Sequence, residues 1–209
     1  VFTSSDGVRW PRHDMGDTGG AITALAATPQ GLVAVGSDTN YHGARAWTSR
    51  DGISWNLVFE DAEAGPMYDV TAWDGGFVAV GGDGIDRAAV WTSDNGLTWT
   101  QVPLDPAAAS RGTMVSVAPG GSGLVAVGYS EDNSEGLDGA IWTSADGIAW
   151  IRLPDSEAAR FGGPGDQLIA GLATWRGRIV AVGEASEGSI AAGSQSGSDA
   201  AVWISPPPG

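Results

Sequence analysis

The chain has 209 residues, no cysteine, and a formal net charge of −15 from 25 acidic residues against ten arginines and no lysine. Lack of cysteine excludes a disulfide framework and a thiolate metal site. The acidity disfavours nucleic acid and anionic membranes, which need clustered cations. No apolar stretch approaches the roughly 18 residues of a membrane helix.

The chain opens inside a repeated phrase. Thr3-Ser4-Ser5-Asp6-Gly7-Val8-Arg9-Trp10 recurs as Thr48–Trp55, Thr92–Trp99 and Thr143–Trp150, with Asn95 replacing the aspartate in the third copy. Starting at Val1, with neither an initiator methionine nor a leader, the chain reads as a processed or trimmed product. Two further segments recur between these copies. An apolar one comes first (21–26, 68–73, 113–118 and 168–173). Gly31-Leu-Val-Ala-Val-Gly36 and its counterparts at 76–81, 123–128 and 178–183 then follow. From Thr3, the steps to Thr48, Thr92 and Thr143 are 45, 44 and 51 residues.

Each unit resolves into four strands. Val-Ala-Val between glycines predicts a strand buried on both faces, and the Asp-Gly and Asn-Gly pairs predict two-residue hairpins. A period of ~40–50 residues with several short strands marks a β-propeller blade. The expectation is therefore an all-β single domain, 1–209, of about four four-stranded antiparallel blades. The units are 21–57, 68–102, 113–153, and 168–205 completed by residues 1–13. The count leaves one strand spare, because Phe2–Ser4 repeats Val202–Ser205. A closed four-bladed ring with a displaced strand, part of a larger propeller, and pairing between chains through open strand edges all satisfy it.

On these motifs the chain resembles the Asp-box (BNR) repeat family of sialidase-like β-propellers. Its box, Ser/Thr-x-Asp-x-Gly-x-Thr-Trp, is matched in full by Thr92-Ser-Asp94-Asn-Gly96-Leu-Thr98-Trp99. Elsewhere the acid falls one place later, at Asp6, Asp51 and Asp146. The resemblance implies that the box lies away from the ligand site, with Asp6, Asp51, Asp94 and Asp146 capping hairpins and Trp10, Trp55, Trp99 and Trp150 packing between blades. A processed product fits secretion or cell-surface display. Lysine-free, alanine- and glycine-rich usage fits a GC-rich bacterial genome. A sialidase of this kind needs three arginines, an activated tyrosine and an acidic aspartate around six blades, and no residue here falls in a motif that maps those roles.

Variable loops gather at the other end of such a scaffold, where function tends to reside. They carry the candidate ligand residues Tyr41, His42, Arg45, Tyr68, Asp69, Arg87, Arg111 and Arg160. Arginine, tyrosine and carboxylate suit a sugar or a small acid, although a solvated charged face is the commoner use of such loops. His13 and His42 have no zinc spacing. Asp132–Asp138 lacks the ligand order of an EF-hand loop, so no metal or cofactor is expected. The reading is a non-catalytic binding or scaffold module, for carbohydrate or a protein partner at the loop face. The alternative is a sialidase-like glycoside hydrolase or a fragment of one.

Overall fold

A computed structural model describes residues 1–15, 19–85, 87–109, 111–133, 136–154, 165–186 and 198–205. These contain fifteen strands and no helix. Sheet I runs β1 (Ala21–Thr28), β2 (Gly31–Ser37), β3 (Ala44–Ser49), β4 (Asn56–Asp61). Sheet II runs β5 (Met67–Trp73), β6 (Gly76–Gly82), β7 (Ala88–Ser93), β8 (Thr100–Gln101). Sheet III runs β9 (Gly112–Gly120), β10 (Gly123–Asn133), β11 (Gly136–Ser144), β12 (Trp150–Arg152). Sheet IV holds β13 (Gln167–Trp175), β14 (Arg178–Ser186) and β15 (Ser198–Ile204). Chain neighbours pair antiparallel in every sheet. The N-terminal segment folds on itself, with Val1 bonded to His13, Thr3 to Pro11, and a bridge from Phe2 to Arg12.

The sheets stack in chain order, and their first strands β1, β5, β9 and β13 each touch the next. The Val-Ala-Val strand makes this stacking necessary. In β6, Phe77 and Ala79 enter the core shared with sheet I, while Val78 and Val80 enter the core shared with sheet III. Alternate side chains leave a strand on opposite faces, so a strand apolar at every position is stable only between two neighbours. Val33–Val35, Val78–Val80 and Leu124–Val127 are accordingly all buried. In β14, at the end of the stack, Val182 is exposed.

The glycine that closes this strand has a steric cause. Each first strand carries a bulge, at Thr23, Tyr68, Val115 and Ala170. Beside the bulge a carbonyl at the start of the first strand, or of the residue just before it, lies over the glycine. A Cβ on Gly36, Gly81, Gly128 or Gly183 would sit 1.9–2.0 Å from the carbonyl oxygen of Ala21, Pro66, Thr113 or Leu168. Polar groups at the same level join sheet to sheet. Thr23 Oγ1 donates to the Met67 carbonyl at 2.7 Å. Asp69 Oδ2 accepts from Ser116 Oγ (2.8 Å) and Val117 N–H (2.9 Å). Ser116 Oγ in turn accepts from Leu172 N–H at 3.4 Å.

The turns divide differently from the sequence expectation. Two-residue hairpins with positive φ at both residues, the type I′ pattern, occur after the first strand, at Asp74-Gly75 (48°, 80°) and Arg176-Gly177 (52°, 74°). The repeated Asp-Gly and Asn-Gly pairs do not form them. Thr48 faces Asn56 and Thr92 faces Thr100, so the loop is longer, and only its glycine has positive φ. A side chain closes that loop in place of a tight backbone turn.

Packing order also grades the box tryptophans. Trp99 and Trp150 are buried in the cores against the preceding sheet, Trp55 is half-buried, and Trp10 is 57 % exposed. Trp99→Ala therefore costs roughly 3–5 kcal/mol, whereas Trp10→Ala costs under about 1 kcal/mol. Parallel denaturant melts of the two variants check this, and equal losses contradict the stacking order.

Candidate functional site

The four box turns share one set of bonds. Ser4, Ser49, Ser93 and Ser144 each accept the N–H of the turn glycine at 2.8 Å. Two residues after each serine, one side-chain oxygen accepts the next two free N–H groups. Asp6 takes Val8 and Arg9, Asp51 takes Ile53 and Ser54, and Asp146 takes Ile148 and Ala149. The tryptophan closes the unit by donating Nε1–H to the glycine carbonyl, at 3.0–3.2 Å in all four copies. In the third copy the cap is Asn95, bonded to Leu97 and Thr98 N–H, and not Asp94. The geometry asks only for an acceptor oxygen at that position, which Asn supplies as well as Asp. Asp94 stands one place too early, where the other copies have Ser5, Arg50 and Ala145.

Two backbone N–H donors stabilise the ionised carboxylate. Bonds from Ser54 and Ile53 push Asp51 down to about 2. Asp6 is lowered by Arg9 and Val8, and Asp146 by Ile148 and Ala149. These acids are thus held charged and committed to the turn.

At the variable-loop end, several acids also serve as caps. Asp38 accepts the N–H groups of Asn40 and His42, and Asp83 those of Ile85 and Arg87. Asp38 is lowered first of all by the His42 bond. Tyr41, in this turn at φ 62°, and His42 are exposed. Arg45 pairs with Glu60 across β3 and β4, beside the backbone of Gly19 and Gly20. Tyr68 occupies the bulge of β5, and its hydroxyl pKa is raised by burial and by nearby Tyr129. Asp69 spends both oxygens on backbone and serine partners. Arg87 and Arg111 are brought together by a backbone bridge and are both exposed. Arg87 also edges a cavity of about 340 Å³ with Asp83, Gln101 and Leu104. Arg160 lies outside the described residues. The structure thus groups Arg87 with Arg111, and Arg45 with Glu60.

A larger cavity, about 1030 Å³, opens elsewhere, at the box-turn end between sheets I and II. Its walls present Trp73 and Phe77, the amides Gln30, Asn56 and Asn95, and the carboxylates Asp51, Asp74 and Asp94, with Arg50 beside them. Side-chain size accounts for it. Trp73 ends β5 and reaches across to sheet III, where its Cδ1 lies 3.6 Å from the place a Cβ on Gly147 would take. Thr28 ends β1 in the matching position, and the shorter side chain leaves the space toward sheet II open. The sequence expectation of a site among the loops overlooked this groove, because it arises from one substitution between repeats. No helix among the described residues is long and apolar enough to cross a membrane, and no three His, Asp or Glu among them are gathered as metal ligands.

No family model and no curated protein matches the chain. Solved structures do. The chain is similar to the computationally designed Ika4 protein (17 % identity, TM-score 0.50), covering 91 % of this chain and 94 % of that one. It is similar to a candidate glycoside hydrolase from Parabacteroides distasonis (17 %, TM-score 0.51; 83 % of this chain, 65 % of that). A third is a GH32 β-fructofuranosidase mutant from Bombyx mori in complex with sucrose (9 %, TM-score 0.53; 88 % and 46 %). The chain spans less than two thirds of both hydrolases, and at these identities the likeness is one of fold.

The lowered carboxyls make a pH prediction. A group with a depressed folded pKa adds stability that is fully present above its unfolded value near 3.8 and is lost as pH falls through the folded value. Between pH 4 and about 2, the Ile53 and Ser54 amides should lose hydrogen-exchange protection as Asp51 protonates. Leu97 and Thr98, capped by the non-titrating Asn95, should keep theirs. Amide exchange followed by NMR against pH checks the contrast.

Proposed function

We propose that this chain is a β-propeller of the Asp-box kind and a non-catalytic binding module, secreted or displayed on a bacterial surface, that takes a neutral saccharide between sheets I and II. The groove of about 1030 Å³ carries this reading. Its lining supplies what sugar recognition uses, the amides Gln30 and Asn56 and the carboxylates Asp74 and Asp94 for vicinal hydroxyls. Three carboxylates against Arg50 disfavour an anionic sugar such as a sialoside, since like charges oppose entry. One fold neighbour holds sucrose, which supports a saccharide as the ligand class.

A glycosidase fragment is the other reading. A retaining or inverting glycosidase needs one carboxyl raised to act as acid. Within the groove, Asp51 is held ionised by the Ser54 and Ile53 amides, which suits a hydrogen-bond acceptor better than a proton donor.

A neutral oligosaccharide panel, screened by array and followed by calorimetry, tests the proposal. Asn56→Ala, in the groove wall, should weaken binding about tenfold, equivalent to about 1.4 kcal/mol. Trp175→Phe, on sheet IV, should leave it unchanged. No binding across the panel, equal effects of the two substitutions, or turnover of a glycoside would each sink it.

A further inference from the structure

Three repeated interfaces within the chain define what the two ends of the stack are built to meet. On the side that faces the next sheet, Val33 and Val35 of sheet I, Val78 and Val80 of sheet II, and Val125 and Val127 of sheet III are all at most 7 % exposed. The matching residue on sheet IV, Val182, is 45 % exposed, and Val202, which matches buried Val90 and Ile141, is 63 % exposed. The side that faces the preceding sheet shows the mirror deficit. Met67 and Val70, and Met114 and Val117, are buried, but their counterparts on sheet I, Ile22 and Leu25, are 40 % and 56 % exposed.

The box turns carry the same message in finer detail. Gly96 rests on Val33 of the preceding sheet and Gly147 on Val78, with the position of a Cβ 2.6 and 3.0 Å from their Cγ2 atoms. Gly52 of sheet I meets only Leu32 of its own sheet and Thr3 of the N-terminal segment, at 3.5 and 3.8 Å. Trp73 of sheet II covers Gly147, whereas Trp175, in the same place on sheet IV, is 59 % exposed with Arg176 stacked over it at 4.7 Å. The outer half of sheet I is already covered, as fully buried Trp47 shows. What stays open there is the inner half, at Ile22 and Leu25, and β13 and β14 are the strands whose counterparts fill it elsewhere in the stack.

We propose that two copies of this chain associate head to tail, the outer face of sheet IV of one packing on the open face of sheet I of the other. Val180, Val182 and Val202 then cover Ile22 and Leu25, and Trp175 covers Gly52, repeating the three interfaces within the chain. The occupant is a second copy because its sheet I presents the complementary residues at the complementary spacing. Such a contact joins unlike faces, and two copies complete two equal junctions and close the assembly.

Sedimentation and light scattering across a concentration series test this. The wild-type chain should run at twice its own mass. Val202→Glu and Leu25→Glu alter positions exposed in the single chain, so circular dichroism and melting should be retained. Each should raise the dimer dissociation constant at least ~100-fold by burying an unpaired charge. A monomer at every concentration up to about a millimolar overturns the proposal, whether or not hydrogen exchange shows the two faces closed on each other within one chain. A dimer unaffected by both substitutions also overturns it.

Discussion

A strand that is apolar on both faces must be covered twice, and this constraint organises the molecule. Phe-Val-Ala-Val in β6 and Leu-Val-Ala-Val in β10 each send side chains into two cores, while Val33 and Val35 of β2 enter the core shared with sheet II. Burial of a valine is worth roughly 1.5–3 kcal/mol, so a sheet with one bare side forfeits several such terms. Stacking in chain order satisfies the inner sheets and leaves the end sheets with apolar residues in solvent. The exposure of Ile22, Leu25, Val182 and Val202 is the direct consequence.

Around that core, polar groups fix geometry more than they supply energy. The carboxylate of Asp69 ties sheet II to sheet III, the hydroxyls of Thr23 and Ser116 tie the neighbouring pairs, and each box turn is held by a serine, an Asp or Asn, and a tryptophan N–H. Part of the acidity that the composition announces is spent in this way, on Asp6, Asp38, Asp51, Asp83 and Asp146 as turn caps. A carboxylate so committed is held ionised and oriented by its turn.

The candidate site was legible only in part. The carboxyl of Asp69 reads in sequence like a ligand group at the mouth of an inner strand, but its partners come from residues some 47 positions away, which no local pattern reveals. Asp94 fits the box motif by spelling, yet the hydrogen bonds select Asn95, because the loop's N–H groups converge on the side chain two residues after the serine. The groove between sheets I and II depends on the contrast of Thr28 with Trp73. That contrast is visible when the repeats are aligned, but it acquires meaning only once Trp73 is seen to reach a turn on another sheet.

Sequence by itself determined the elements. The repeat, the alternation of its strands and the glycine punctuation dictate antiparallel sheets with two apolar faces, since period and turn chemistry are local properties of the chain. Tertiary structure alone decided which faces stay bare, which acids are caps, and where space is left between sheets. Those depend on what stands opposite each residue, and the distances involved are set by packing between units and not by spacing along the chain.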